Sequence, residues 1–160
     1  MSFQALTNPA GAHKTVSDYQ TFKAVDGEAV SLPAARTEFF RANAAIGKGE
    51  VVMWVVPTAT VPLSVTPMTA AGADNLFAGV AVTAAAAGDL VEVVREGGCF
   101  VDVGAETAAF GSLLTAPATT TGKAEVGAIF DATLVVGSVI GTALGAKDSA
   151  NLAPAEIKHL

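Results

Sequence analysis

One stretch constrains the fold of this chain more than any other: "FAGVAVTAAAAGDLVEVVREGGCFVDVG", residues 77–104. Successive side chains of a β-strand point to opposite faces of its sheet. Val91, Val93 and Arg95 would therefore share one face, whereas Leu90, Glu92 and Val94 would share the other. This alternation of Val with a mixture of Leu and Glu indicates a half-buried strand.

Turn residues divide the same stretch. Four alanines and Gly88-Asp89 follow its first β-branched run, and four residues are too few to sustain an isolated helix in water. Gly97-Gly98 suits a tight reversal at positive φ, after which the alternation resumes at Phe100. We therefore predict three short strands joined by turns.

The chain beyond residue 46 repeats this pattern. Val and Thr favour strands, and 16 Gly with 7 Pro interrupt the chain at short intervals. Further strand patterns occur in "GKGEVVMWVVP", "FGSLLTAPATTTGKAEVG", "ATLVVGSVIGTALG" and "AEIKHL". About eight to ten strands at roughly ten-residue spacing indicate an all-β barrel or sandwich. The predicted fold is mainly β, with a small β-barrel or β-tulip-like domain over residues 46–160.

We predict that residues 1–45 form an extended N-terminal arm with one short helix. The first 32 residues have no sustained period, although "SDYQTFKAV" has the pattern of a short strand. The segment "LPAARTEFFRANAAIGKG" predicts a helix at about residues 33–46, because Pro33 suits a first turn and Gly47 suits a C-terminus. Phe39 and Phe40 would form part of its apolar stripe. We expect the arm to become ordered against a partner chain.

The net charge and the composition indicate which kinds of partner this chain can bind. The net charge is −6, and residues 51–160 carry the whole acidic excess. Because phosphate binding requires clustered Lys and Arg, we expect no nucleic-acid partner. Charged residues make up only 15% of the chain, which is low for a monomer that exposes its whole surface to water. We therefore predict a homo-oligomer.

Two further features bear on location and redox chemistry. Residues 129–146 form the best membrane candidate, but they contain Asp131 and three glycines and are barely long enough to span a bilayer. We expect two strands there and no membrane partner. Met1–Ala12 lacks the basic start and apolar run of a secretory signal. Because Cys99 is the single cysteine, an intrachain disulfide cannot form. We expect its thiol to be buried and inert.

No constellation of reactive groups stands out. The only histidines, His13 and His159, lie near the two ends of the chain, whereas a metal site needs three or four converging ligands. We expect carboxylates such as Glu92 and Asp102 to lie on a solvated outer face of the sheet and not to form a catalytic pair. Trp54 is either a core residue or a sugar-binding platform, and the apolar sequence around it favours the core. We expect no catalytic, cofactor-binding or metal site, and no enzyme.

Residues 46–160 resemble a small family of tailed-bacteriophage capsid decoration (cement) proteins. The resemblance consists of a strand of the form apolar-x-Gly-Val-Ala, an Ala-rich turn, Gly-Asp, an alternating Val strand, a Gly and another apolar strand. "FGSLLTA" and "VIGTAL" resemble two later strand entries of that family. The matching residues are Gly79, Val80, Ala81, Gly88, Asp89, Val91, Val93, Gly97 and Phe100.

The chain also departs from the family pattern. Gly111-Ser112-Leu113 stands where the family often has Asp-x-Val, and residues 1–45 have no clear counterpart. The resemblance implies a non-enzymatic structural protein that binds the outer surface of a capsid as a trimer and stabilises the shell. Its partners would be the major capsid protein and further copies of itself, and it would be made in the host cytoplasm and located on the virion.

One other class of binding protein remains open: a phage tail or fibre component, or a cell-surface module, that recognises a glycan. That function requires exposed aromatic or Asn/Asp clusters.

For capsid contact, the candidate residues are the large aromatic side chains of the arm and its helix: Phe3, Tyr19, Phe22, Phe39 and Phe40.

Overall fold

A computed structural model describes residues 19–23, 29–69, 76–127 and 139–158. No α-helix occurs within these ranges, and the fold is mainly β, as predicted. The described strands are β1 (Tyr19–Lys23), β2 (Ala29–Pro33), β3 (Arg36–Ala42), β4 (Val51–Val55), β5 (Ser64–Pro67), β6 (Phe77–Ala81), β7 (Leu90–Asp102), β8 (Leu113–Thr115), β9 (Glu125–Gly127), β10 (Val139–Ala143) and β11 (Leu152–Ile157).

Five strands close into a β-barrel in the order β3-β5-β4-β6-β7, and β7 completes the ring by pairing with β3. Neighbouring strands are antiparallel except β3 and β5, which are parallel. Fully buried valines fill the interior, among them Val52, Val65, Val91 and Val93. The predicted barrel is therefore confirmed, and so is the shared face of Val91 and Val93.

β7 is long enough to belong to two sheets. Its residues 90–96 pair with β3 and β6 in the barrel, and its residues 97–102 pair with β11. The second sheet continues in the order β7-β11-β10-β8-β9. Val51, Val80 and Val94 of the barrel strands share one buried cluster with Leu114 and Ile140 of the second sheet. The larger core therefore lies between the barrel wall and this sheet.

The prediction of a reversal at Gly97-Gly98 is wrong. β7 runs without interruption from Leu90 to Asp102, so residues 77–104 contain two strands and not three. The glycines are required because the incoming chain crosses them closely. A Cβ on Gly97 would lie 2.2 Å from the carbonyl oxygen of Ala34, and one on Gly98 would lie 2.4 Å from that of Pro33.

The predicted helix at residues 33–46 is also wrong. Arg36–Ala42 forms β3, which pairs with β7 and closes the barrel. Ala, Arg and Glu favour a helix by only tenths of a kcal/mol per residue, so main-chain pairing on a closed barrel outweighs that preference. Strand geometry also directs Phe39 and Phe40 to opposite faces, and no common stripe forms.

The N-terminal part of the described chain is a hairpin. β1 pairs antiparallel with β2, in a two-stranded sheet separate from the other nine strands. The predicted short strand in "SDYQTFKAV" is thus confirmed as β1. At the root of the hairpin, Leu32 is fully buried and packs with Phe100 and Leu152 of the body.

Candidate partner-binding surface

Exposed apolar side chains surround the outward side of β3. Phe39 is 65% exposed and Leu90 is 70% exposed. The strand register pairs Phe39 with Glu92 and Arg41 with Leu90. Phe39 and Leu90 are therefore diagonal neighbours on the outer surface of the barrel.

The loop between β4 and β5 brings further exposed apolar side chains next to β3. Val56 and Leu63 flank the last β4–β5 pair and are 64% and 53% exposed. Ser64 pairs with Arg41 of β3, which places Leu63 beside that strand. We call the following residues the β3 face: Phe39, Arg41, Val56, Leu63 and Leu90.

The number of exposed apolar residues near one strand distinguishes the β3 face. Single exposed apolar residues are ordinary on protein surfaces, but a group of them marks an interaction site more often than chance. Of the five exposed large hydrophobic residues in the described ranges, only Phe110 lies outside the β3 face. The β3 face exposes apolar side chains and one guanidinium, that of Arg41.

Phe40 lies on the other side of β3 and does not belong to this surface. It packs against the buried cluster of the barrel, and its ring meets the ring of Trp54 edge-on at 4.7 Å. The Arg95 guanidinium lies 4.8 Å from the centre of the Trp54 ring and 5.9 Å from that of Phe40. These cation–π contacts involve Trp54, which is partly buried and packs against the interior cluster of the barrel.

The predicted contact residues thus have different positions. Phe39 is on the β3 face, whereas Phe40 is partly buried against the interior cluster of the barrel. Tyr19 and Phe22 lie on β1, opposite Pro33 and Val30. Phe3 lies outside the described residues.

Sequence reasoning missed Leu90, Leu63, Val56 and Arg41. A signal existed for Leu90, because alternation along β7 places it on the face opposite the buried Val91. Leu63 and Val56 gave no such signal. They come together only through the pairing of β5 with β3, which joins segments more than twenty residues apart.

One end of β3 carries an exposed ion pair. Arg36 Nη2 donates to Glu38 Oε1 at 2.7 Å. This hydrogen bond, with the positive charge of Arg36, lowers the pKa of the Glu38 carboxyl. Because both side chains are well exposed, the pair contributes little to stability.

A cleft of about 290 Å³ lies beside the root of the hairpin, with Val94, Cys99 and Phe100 among its apolar lining and Lys48 and Glu92 among its polar lining. Cys99 is itself 4% exposed, and burial raises the pKa of its thiol far above the ordinary range. The prediction of a buried thiol is confirmed. The cleft walls come from both the barrel and the second half of β7.

A mostly buried charge cluster joins the barrel to the second sheet. Lys123 Nζ contacts Asp102 Oδ2, at the end of β7, and Glu50 Oε1 at 3.4 Å. Gly104 N donates to Asp102 Oδ1 at 2.9 Å, and Gly47 N donates to Glu50 Oε2 at 2.8 Å. Burial alone would lower the pKa of Lys123, but the hydrogen bonds and charges of the two carboxylates raise it overall.

Two negative findings concern only the described part of the chain. It contains no grouping of three or more His, Cys, Asp or Glu side chains suited to a metal ion. It also contains no helix that is long and apolar enough to cross a membrane.

Comparison with known proteins supports the fold. No protein-family model matches the chain, and no curated protein sequence matches it significantly. Among solved structures, the chain is similar to the N base of the head fibre gp8.5 of bacteriophage phi29, with a TM-score of 0.52 and 19% sequence identity. The match covers 78% of this chain and 97% of that one. At this identity the similarity establishes a shared fold.

Proposed function

We propose that this protein is a structural component of a bacteriophage virion that binds the outer surface of the capsid and stabilises the shell. The observation that carries the proposal is the shared fold with the base of a phage head fibre over most of both chains. The sequence resemblance of residues 46–160 to phage decoration proteins supports the same conclusion, and it rests on motifs in β6, β7, β8 and β10.

The chemistry of the surface agrees with such a role. A decoration protein has no reaction to catalyse, so its effect comes from the area that it buries between shell subunits. An interface of standard size buries about 1,600 Å², and multivalent attachment adds many modest contacts. The β3 face offers an exposed aromatic residue and Arg41, two residue types enriched at interfaces, beside three aliphatic residues.

The proposed partners are the major capsid protein and other copies of this chain, in a trimer that would sit at a local three-fold position. In this proposal the protein is not an enzyme and binds no nucleic acid or membrane. Its place of synthesis is the host cytoplasm, and its final location is the virion.

A second candidate function also rests on the shared fold. Because the similar structure is the base of a head fibre, this chain would serve as the attachment base for a fibre. Both functions require binding to the head, and they differ in whether a longer appendage is joined to the protein.

Co-sedimentation tests head binding. Purified protein is mixed with particles of the phage that encodes it, and bound protein is measured after pelleting. We expect saturable binding that Phe39→Ser weakens at least tenfold, whereas Phe110→Ser leaves it unchanged, because Phe110 is a still more exposed phenylalanine that precedes β8, a strand remote from β3 in the strand order. No binding of the unmodified protein would contradict the proposal.

A further inference from the structure

β3 has one edge that no described strand covers along most of its length. Its pairing with β7 spans Arg36 to Arg41, whereas its pairing with β5 involves only Arg41 and Ala42. β5 begins at Ser64, opposite Arg41. The barrel therefore closes at the C-terminal end of β3 and leaves the N-terminal part of that strand open on the β5 side.

Hydrogen-bond directions identify the open groups. Ala42 N donates to Asp89 O beside β7, and the next residue, Asn43, donates its N–H to Val65 O beside β5. Main-chain groups alternate between the two edges of a strand. The N–H and C=O groups of Thr37 and Phe39 therefore point to the β5 side, where no described strand lies.

An open strand edge beside exposed apolar side chains suits one kind of ligand, an extended peptide. Main-chain hydrogen bonds to the edge supply affinity, and pockets for alternate side chains supply specificity. Here Phe39 and Leu63, both exposed, border the open edge. A helix or a small molecule would leave the main-chain groups of the edge unpaired.

The arm supplies a candidate strand. Its hairpin is a two-stranded sheet fixed to its own body at Leu32, and an isolated two-stranded hairpin is marginal in water. Eighteen residues precede Tyr19, and when extended they reach about 60 Å, which is enough to cross to a neighbouring subunit. "HKTVSD", residues 13–18, has β-branched residues at its centre and leads directly into β1.

We propose that residues 1–18 of one copy pair, as an added β-strand, with the open edge of β3 in a second copy. The inference rests on the proposed homo-oligomer and specifies how its subunits are joined. It uses the edge of β3, whereas the outward side chains of the β3 face remain directed toward the capsid. Reciprocal exchange around a three-fold axis would fill every open edge and give each hairpin a second surface.

Site-specific photo-crosslinking of the full-length protein tests this proposal. p-Benzoyl-phenylalanine replaces Phe39 in one sample and Phe110 in a control sample, and each is mixed with ¹⁵N-labelled unmodified protein before irradiation. Because the replaced residue at position 39 borders the added strand, we expect mixed-isotope adducts that map to residues 1–18. The control at position 110 should give at least fivefold less of this product.

Three results would overturn the proposal: adducts confined to one isotope, adducts that map outside residues 1–18, or equal yields from the two positions. The same crosslinking on purified heads separates this inference from the proposed function. Adducts from position 39 to the major capsid protein alone would support head binding and refute strand exchange.

Discussion

Lys123 is the most informative position for the stability of the two-sheet body. Lys123→Met keeps the aliphatic length of the side chain and removes its charge. The variant leaves the carboxylates of Glu50 and Asp102 without a cation, and these side chains are only 16% and 13% exposed. Removal of one partner from a fully buried ion pair costs 3–5 kcal/mol, whereas an exposed pair contributes about 0–1 kcal/mol.

The cluster of Lys123, Glu50 and Asp102 is intermediate between a fully buried and an exposed ion pair. Lys123 keeps 30% of its side chain exposed, and each carboxylate retains a main-chain N–H donor. We therefore expect Lys123→Met to lower the free energy of unfolding by about 2 kcal/mol. For a domain of this size, that loss lowers the melting temperature by about 4–8 °C.

Urea unfolding monitored by Trp54 fluorescence measures the loss, and Lys158→Met provides the control. Lys158 contacts Glu156 at 3.2 Å, but its side chain is 60% exposed, so that variant should lose less than about 0.5 kcal/mol. A triple variant, Lys123→Met with Glu50→Gln and Asp102→Asn, should recover most of the loss, because it leaves no unpaired buried charge. Equal effects of the two Met variants would refute the reasoning.

The stability difference between the unmodified protein and Lys123→Met should depend on pH in a definite direction. Folding raises the pKa of Lys123 above its ordinary 10.5. The contribution of the lysine is therefore complete below pH 10.5 and is lost as the pH rises through the higher folded-state pKa. The stability difference between the unmodified protein and Lys123→Met should be constant from pH 7 to 10 and should shrink above that range.

Three other substitutions and one thiol reagent test individual residues. Phe40→Ser should lower the melting temperature by several degrees because the partly buried Phe40 ring packs against the interior cluster of the barrel, whereas Phe39→Ser should change it by less than about 2 °C, as expected for an exposed position. Gly98→Ala should destabilise the protein in thermal unfolding, because its Cβ would collide with the carbonyl oxygen of Pro33 at 2.4 Å. The Cys99 thiol should react with a thiol reagent at pH 8 only after denaturation, since burial raises its pKa and excludes the reagent.

Particular residues show how much of this fold the sequence predicts. The alternation at residues 90–95 is local, so it correctly assigned Val91 and Val93 to the interior. Residues 36–42 include the good helix formers Arg, Glu and Ala, and nothing local reveals that β7 lies beside them. Their conformation is decided by pairing with a strand about fifty residues away, which propensity does not include.

The misread glycines have a similar origin. Gly97-Gly98 fits a turn equally well in isolation, and only the crossing of Pro33 and Ala34 explains why both positions lack a Cβ. The candidate surface was only partly predictable, because distant segments of the chain also form it. Phe39 was selected because it is aromatic, whereas Leu63 and Leu90 join it only through the closure of the barrel.

Cryo-electron microscopy of phage particles that carry the protein tests the central claim most directly. Particles are imaged before and after the protein is removed or its gene is deleted, and the difference density is compared with the barrel and second sheet. The account predicts discrete density on the outer surface of the head, at local three-fold positions, into which three copies of this fold can be placed. Heads that lack any such difference, or density found only at the tail or inside the shell, would contradict it.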